Sequence, residues 1–253
     1  MSPRYPFPTV LKAAACAAWV MVALALPAGA QDCSASRITH LDRVGAASGA
    51  SPWSATAADL DGDLDLDIVS ANAESDNLTV FFQQGGGVFQ ALLVGDFGIT
   101  AGPRSVAVAD LGGDENPDLV SANFLGGDVT VFLQSVENEQ RVFTPAPGGP
   151  LSSPDSTLGP VAVLAVDVDG DGDADVAVAN HDSGSISVFG NEGGGIFAPA
   201  ADFGTGPGPT GMAAGDLDGD QSLDLVTVDE GDNTLTVLLN DGSGIFTPAV
   251  SRA

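Results

Sequence analysis

Four times along this chain the same acid-rich cluster returns: "DLDGDLDLD" at 59–67, "DLGGDENPD" at 110–118, "DVDGDGDAD" at 167–175 and "DLDGDQSLD" at 216–224. The cluster starts lie 51, 57 and 49 residues apart. A period of that size belongs to chains that stack supersecondary units, as propellers and solenoids do. The flanks keep the same register. Pro52, Pro103, Pro160 and Pro209 each precede a cluster by seven residues, and Asn72, Asn123, Asn180 and Asp229 each follow its last aspartate by five.

Each unit reads as four short strands. The first is small and apolar, as in "SVAVA" (105–109) and "VAVLAV" (161–166). The aspartate loop leads into the second: "DIVSAN", "DLVSAN", "DVAVAN" or "DLVTVD". An alternating third strand follows ("LTVFF", "VTVFL", "ISVFG", "LTVLL"). Then come glycine turns ("QQGGGVF", "NEGGGIF", "NDGSGIF") and a fourth strand that opens on Phe89, Phe143, Phe197 or Phe246. Period-2 patterning bounded by Gly, Asn and Asp is the signature of strands and hairpins. No amphipathic helix pattern appears after residue 31, where the frequent glycines and prolines would break most candidates. The expected fold is all-β: a β-propeller of four four-stranded blades, with small Ala- and Val-rich strands innermost and β-branched and Phe side chains filling the space between blades.

The N-terminus stands apart. Arg4 and Lys12 precede an apolar run, "AAACAAWVMVALAL", that ends in "PAGAQ". That order reads as a secretory signal peptide over residues 1–30, cleaved after Ala30. The run is too short for a membrane span, which needs about 20 apolar residues. No second hydrophobic span follows, so the chain is expected outside the cell, in the periplasm or at the cell surface. Residues 31–50 form an N-terminal segment with an extra outer strand near 37–48, and residues 51–253 the four-repeat domain. Only Cys33 survives cleavage, so no intrachain disulfide is expected, and the thiol reads as free or paired between chains. The chain has 34 acidic and 7 basic residues, a formal charge of −27, and no lysine beyond Lys12. Such a surface repels nucleic acid and anionic lipid.

"DFGITAGP" (96–103) and "DFGTGPGP" (202–209) each give Phe-Gly, then Gly-Pro, then a small apolar strand and an aspartate cluster. In this the chain resembles the FG-GAP/VCBS repeat family, the units of integrin-α-type β-propellers, over about residues 37–250. The resemblance implies that each aspartate loop joins the first two strands of a blade and holds Ca²⁺. It also implies a binding or cell-adhesion module.

Ligand chemistry leads to the same ion. Calcium takes six to eight oxygen ligands at about 2.3–2.6 Å. Carboxylates at alternate positions 1, 3, 5 and 9 of a tight loop turn inward around one point, and position 7 can offer its main-chain carbonyl. Gly62, Gly170 and Gly219 permit the sharp turn. The first loop thus offers Asp59, Asp61, Asp63, Asp65 and Asp67; the third Asp167, Asp169, Asp171, Asp173 and Asp175; the fourth Asp216, Asp218, Asp220, Ser222 and Asp224. The second has Gly112 at position 3 and Pro117 at its exit, which leaves Asp110, Asp114, Asn116 and Asp118 as a weaker or empty site. Oxygen donors without clustered His or Cys suit a hard ion. An EF-hand is excluded because position 12 is Ser70, Ser121, Val178 or Thr227, never Glu, and the flanks are strands.

No catalytic constellation is recognisable: no nucleophile elbow, phosphate loop or His-rich site. His40 and His181 read as surface residues, and Trp53 as inter-blade packing. A secreted calcium-stabilised propeller that binds an extracellular protein or carbohydrate is the first reading. An extracellular polysaccharide lyase or hydrolase on the same scaffold is the second. Ring closure stays open between a closed four-blade ring, an open arc, and a partial ring completed by a second chain or a missing continuation; open blade faces invite self-association. The segment 135–159 reads as a surface insertion.

Overall fold

The structure, a computed structural model, describes residues 48–95, 101–153 and 159–249; the residues expected to form the signal segment, those expected to form an extra strand (all but Ser48) and the first Phe-Gly lie outside them. The described residues form sixteen strands and no helix. Sheet 1 comprises β1 (Pro52–Ala58), β2 (Asp67–Asn72), β3 (Asn77–Gln83) and β4 (Phe89–Val94). Sheet 2 comprises β5 (Pro103–Ala109), β6 (Asp118–Asn123), β7 (Asp128–Glu137) and β8 (Gln140–Pro145). Sheet 3 has β9 (Pro160–Val166), β10 (Asp175–Asn180), β11 (Ser185–Phe189) and β12 (Ala201–Gly204), and sheet 4 has β13 (Pro209–Gly215), β14 (Asp224–Asp229), β15 (Thr234–Asn240) and β16 (Phe246–Pro248). Each is an antiparallel meander in chain order.

The repeated prolines open the first strand of every sheet, a position where a missing N–H costs no ladder bond. Register then sets the loop. Ala58 pairs with Asp67, Ala109 with Asp118, Val166 with Asp175 and Gly215 with Asp224. The last aspartate of each cluster is therefore already the first residue of a strand.

The sheets stack in series through three apolar cores. Leu60, Val69, Leu78 and Val80 of sheet 1 pack with Val106, Leu119 and Phe132 of sheet 2. Leu111, Val120 and Val131 continue into Val163, Val176 and Phe189 of sheet 3. Val168, Ile186 and Val188 pack with Leu225, Leu238 and Phe246 of sheet 4. Among the described residues no core joins sheet 4 back to sheet 1.

Two strand expectations need correction. Phe143 lies inside β8, because β7 runs on to Glu137 and turns through Asn138 and Glu139, both left-handed (φ 50° and 66°). Left-handed geometry at both central residues is that of a two-residue hairpin turn. Much of the supposed insertion, 135–145, is thus strand. Phe197 opens no strand: it makes one isolated bridge with Asn191, and β12 begins only at Ala201, after Pro199. Phe89 and Phe246 do open β4 and β16.

Candidate metal centres in the aspartate loops

The four loops share one hydrogen-bond scheme. The position-1 aspartates Asp59, Asp110, Asp167 and Asp216 each accept through Oδ1 from the N–H of Gly62, Gly113, Gly170 or Gly219, all at 2.7 Å. Their Oδ2 atoms accept from position 6: Leu64 (2.9 Å), Glu115 (2.8 Å), Gly172 (3.0 Å) and Gln221 (3.2 Å). Positions 4 and 6 are left-handed in every loop, including the non-glycine residues Leu64 (φ 74°), Glu115 (φ 66°) and Gln221 (φ 78°). One carboxylate thus organises the turn, and the aspartates that follow are splayed from it. Asp61, Asp169 and Asp218 each accept a 3.2 Å bond from position 5. Asp63, Asp171 and Asp220 accept from the position-7 N–H of Asp65, Asp173 and Ser222.

The position-9 aspartates differ from the rest. Asp67, Asp118, Asp175 and Asp224 are fully buried. Their Oδ2 accepts from Leu60, Leu111, Val168 and Leu217 at 2.8–2.9 Å. Their Oδ1 accepts from the N–H of Gln83 and Asn240 at the end of the third strand, of Asn191 just beyond it, and of Gln134 inside the longer β7. Each carboxylate therefore ties the loop to the third strand at the same end of its own sheet. Burial pushes the Asp67, Asp118 and Asp175 carboxyls upward, opposed by these N–H groups. Asp61 is also raised, first by burial and then by repulsion from Asp67, Asp63 and Asp59.

In three loops, positions 1, 3 and 9 converge. Asp59, Asp61 and Asp67 bring carboxylate oxygens within 4.8 Å of one another; so do Asp167, Asp169 and Asp175, and Asp216, Asp218 and Asp224. Two such charges repel by about 3 kcal/mol at an effective dielectric of about 20. A divalent cation removes that cost, and an all-carboxylate donor set fits a hard ion. The side chains of Asp63, Asp65, Asp171, Asp173 and Asp220 stand outside these triads. The second loop forms no triad among the described residues. Gly112 supplies no carboxylate there, and its N–H adds a third bond to Asp118, while Asp114 accepts from Asn116.

Several site-forming residues carry no motif. Arg141 of β8 reaches across from sheet 2 and donates to the main-chain carbonyl of Asp61. It lines a cleft of about 320 Å³ together with Asp61, Phe82, Gln90, Leu92 and Glu139. Asn191 donates to the carbonyls of Leu111 and Ala174, both at 3.0 Å, and so clamps sheet 3 to the second loop. Asn240 does the same with Val168 (2.6 Å) and Leu223 (3.0 Å). In sheet 2 the longer Gln134 takes this place, buried with neither amide atom partnered.

At the opposite end of the sheets a second polar row appears. Asn72, Asn123, Asn180 and Asp229 are buried and bond the Thr or Ser two residues into the third strand, Thr79, Thr130, Ser187 and Thr236. Nearby, Trp53 is exposed rather than packed, with the Arg104 guanidinium 4.6 Å from its ring centre and 3.3 Å from that of Phe124. His181 bonds Asp182 (2.7 Å) and reaches Glu230 of sheet 4 (3.1 Å), so it bridges two sheets, and these partners raise its pKa.

The chain belongs to the FG-GAP-like repeat family, whose sequence model matches three times, at residues 59–121, 113–178 and 167–227. No curated protein matches it. Among solved structures it is similar to an Agrocybe aegerita lectin described by its recognition of non-reducing terminal N-acetylglucosamine. That match has 25% identity and a TM-score of 0.47, covering 76% of this chain and 50% of the lectin. The V. cholerae biofilm matrix protein Bap1 is similar at 19% identity and a TM-score of 0.36, covering 77% and 38% of the two chains. The Photorhabdus luminescens Tc holotoxin pore gives 21% and 0.39, covering 77% and 9%. The chain thus spans about half the length of the lectin it matches.

Proposed function

We propose that this chain is a secreted, calcium-binding β-propeller module whose task is to bind an extracellular protein or carbohydrate. The observation that carries the reading is the convergence of three carboxylates at the same corner of sheets 1, 3 and 4. Asp59, Asp61 and Asp67, with their counterparts in loops three and four, would hold the ion. Its role is structural: it neutralises each loop and holds the turn between the first two strands against the buried position-9 aspartate. Membership of the FG-GAP-like repeat family supports the propeller reading, and the four meanders are its blades.

At the modest affinities of extracellular calcium sites, a few millimolar Ca²⁺ stabilises by roughly 1.5 kcal/mol per filled site. The test is a melting curve in EDTA and in Ca²⁺, with calorimetric titration for stoichiometry. Three equivalents and a reversible rise in Tm are expected. An unchanged melting curve would sink the calcium reading. Screening the protein against a glycan panel and extracellular matrix proteins tests the binding role.

A further inference from the structure

Each sheet has two faces, and the repeat assigns the same positions to each. The outgoing face carries loop position 2 and alternate residues of the second and third strands. In sheets 1 to 3 that face is sealed: Leu60, Ala71 and Leu78 of sheet 1 are each 0% exposed. The same positions in sheet 4 are Leu217, Val228 and Leu235, and they are 52%, 46% and 65% exposed. These side chains are no more polar than their counterparts. They lack only the next sheet.

What covers this face is known from three examples in the same molecule. Val106 and Leu119 of sheet 2 cover sheet 1; Val163 and Val176 of sheet 3 cover sheet 2; Met212 and Leu225 of sheet 4 cover sheet 3. The matching incoming positions in sheet 1 are Ala55, Ala57 and Ile68. The two alanines are exposed and Ile68 is half-buried, while Phe81 of the same face is already buried. One end of the stack therefore presents an unmatched outgoing face, and the other a partly open incoming face. The polar clamp has its places too. Asn191 and Asn240 reach back to loop position 2 of the preceding sheet. At an added junction those places fall to the carbonyl of Leu217 and the side chain of Gln83.

We propose that the chain associates head to tail with a second copy of itself, sheet 1 of one copy seated on the exposed Leu217–Val228–Leu235 face of sheet 4 of the other. Such a contact uses two different patches, so it either closes into a ring or extends. A back-to-back pairing of two sheet-4 faces would bring together two surfaces of the same kind, with no incoming side chains to interdigitate. The formal charge of −27 opposes the contact, so screening by salt strengthens it. The proposal rests on apolar packing and not on metal in the loops.

The experiment is sedimentation of the purified protein from low to high micromolar concentration, at low and high salt, in EDTA and again in Ca²⁺. A mass that rises with concentration and salt in both media is expected. Leu235→Asp and Ala57→Glu, both at exposed positions, are each expected to leave the protein folded by circular dichroism and monomeric. Mixed together they should restore one junction, because each variant keeps the face the other has lost. A monomer at every concentration overturns the proposal. So does association that survives Ala57→Glu, or variants that fail to complement. Running both media separates this result from the calcium reading, whose failure would appear only as an unchanged melting curve.

Discussion

Replacing Asp175 by Asn separates two roles that the aspartate loop combines. Asp175 is fully buried, and its two oxygens accept from Val168 (2.9 Å) and Asn191 (2.8 Å). Asparagine is nearly the same shape but has one acceptor oxygen, so one of the two buried N–H groups must face an NH₂. An orphaned buried donor costs about 1–3 kcal/mol, and the remaining bond loses its charge assistance, roughly 1 kcal/mol more. Against this, burying a neutral amide avoids the desolvation that raises the Asp175 carboxyl, which offsets part of that loss. The net loss is about 2 kcal/mol, a fall in Tm of about 4–8 °C for a domain of this size. The assay is thermal and urea unfolding in EDTA, with Asp169→Asn as the matched control. Asp169 is exposed and accepts one 3.2 Å bond. Its loss should leave metal-free stability within about 0.5 kcal/mol and remove one site's share of the calcium response. If both variants unfold alike in EDTA, or Asp175→Asn unfolds like the parent, the division of labour between positions 3 and 9 is wrong.

Leu78 and Leu235 occupy one repeat position, yet the first is sealed and the second open. Leu78→Ala should cost about 2–5 kcal/mol, and Leu235→Ala, measured in dilute protein, under about 0.5 kcal/mol; equal costs in urea titrations would contradict the stacking order. Asn191→Ala removes both bonds to the Leu111 and Ala174 carbonyls and should lower stability by about 2 kcal/mol, while a change within error would show that water replaces the clamp. His181 is raised above its ordinary value by Asp182 and Glu230, with Arg104 also attracting Asp182. Its contribution is complete below the unfolded pKa near 6.5 and fades as pH rises through the folded value. The parent should therefore lose a little stability as pH rises above the ordinary histidine value of about 6.5 that His181→Gln does not, and superimposable pH profiles would refute the bridge.

The four-sheet plan was legible because each strand is short, alternates, and is punctuated at fixed offsets. Pro103 and Asp118 mark the starts of two paired strands wherever the sheets end up in space. The aspartate loops were legible as turns for the same reason: position 4 must be left-handed, and glycine stands there in all four copies. Local rules failed where the long-range partner decides. Asn138–Glu139 is not an Asn-Gly turn by composition, yet the ladder between Glu137 and Gln140 holds it as one. Phe197 follows a glycine run like its counterparts, but β11 has already ended at Phe189 and Asn191 has turned to clamp sheet 2.

The aspartates themselves look alike in sequence. Only folding buries Asp175 under two backbone donors and leaves Asp169 at the surface, because the strand register places Asp175 against Val166 inside the sheet. The same holds for Leu235. Periodicity assigns it to an apolar face, but whether that face is core depends on a neighbouring sheet, and burial is a property of the stack rather than of the repeat.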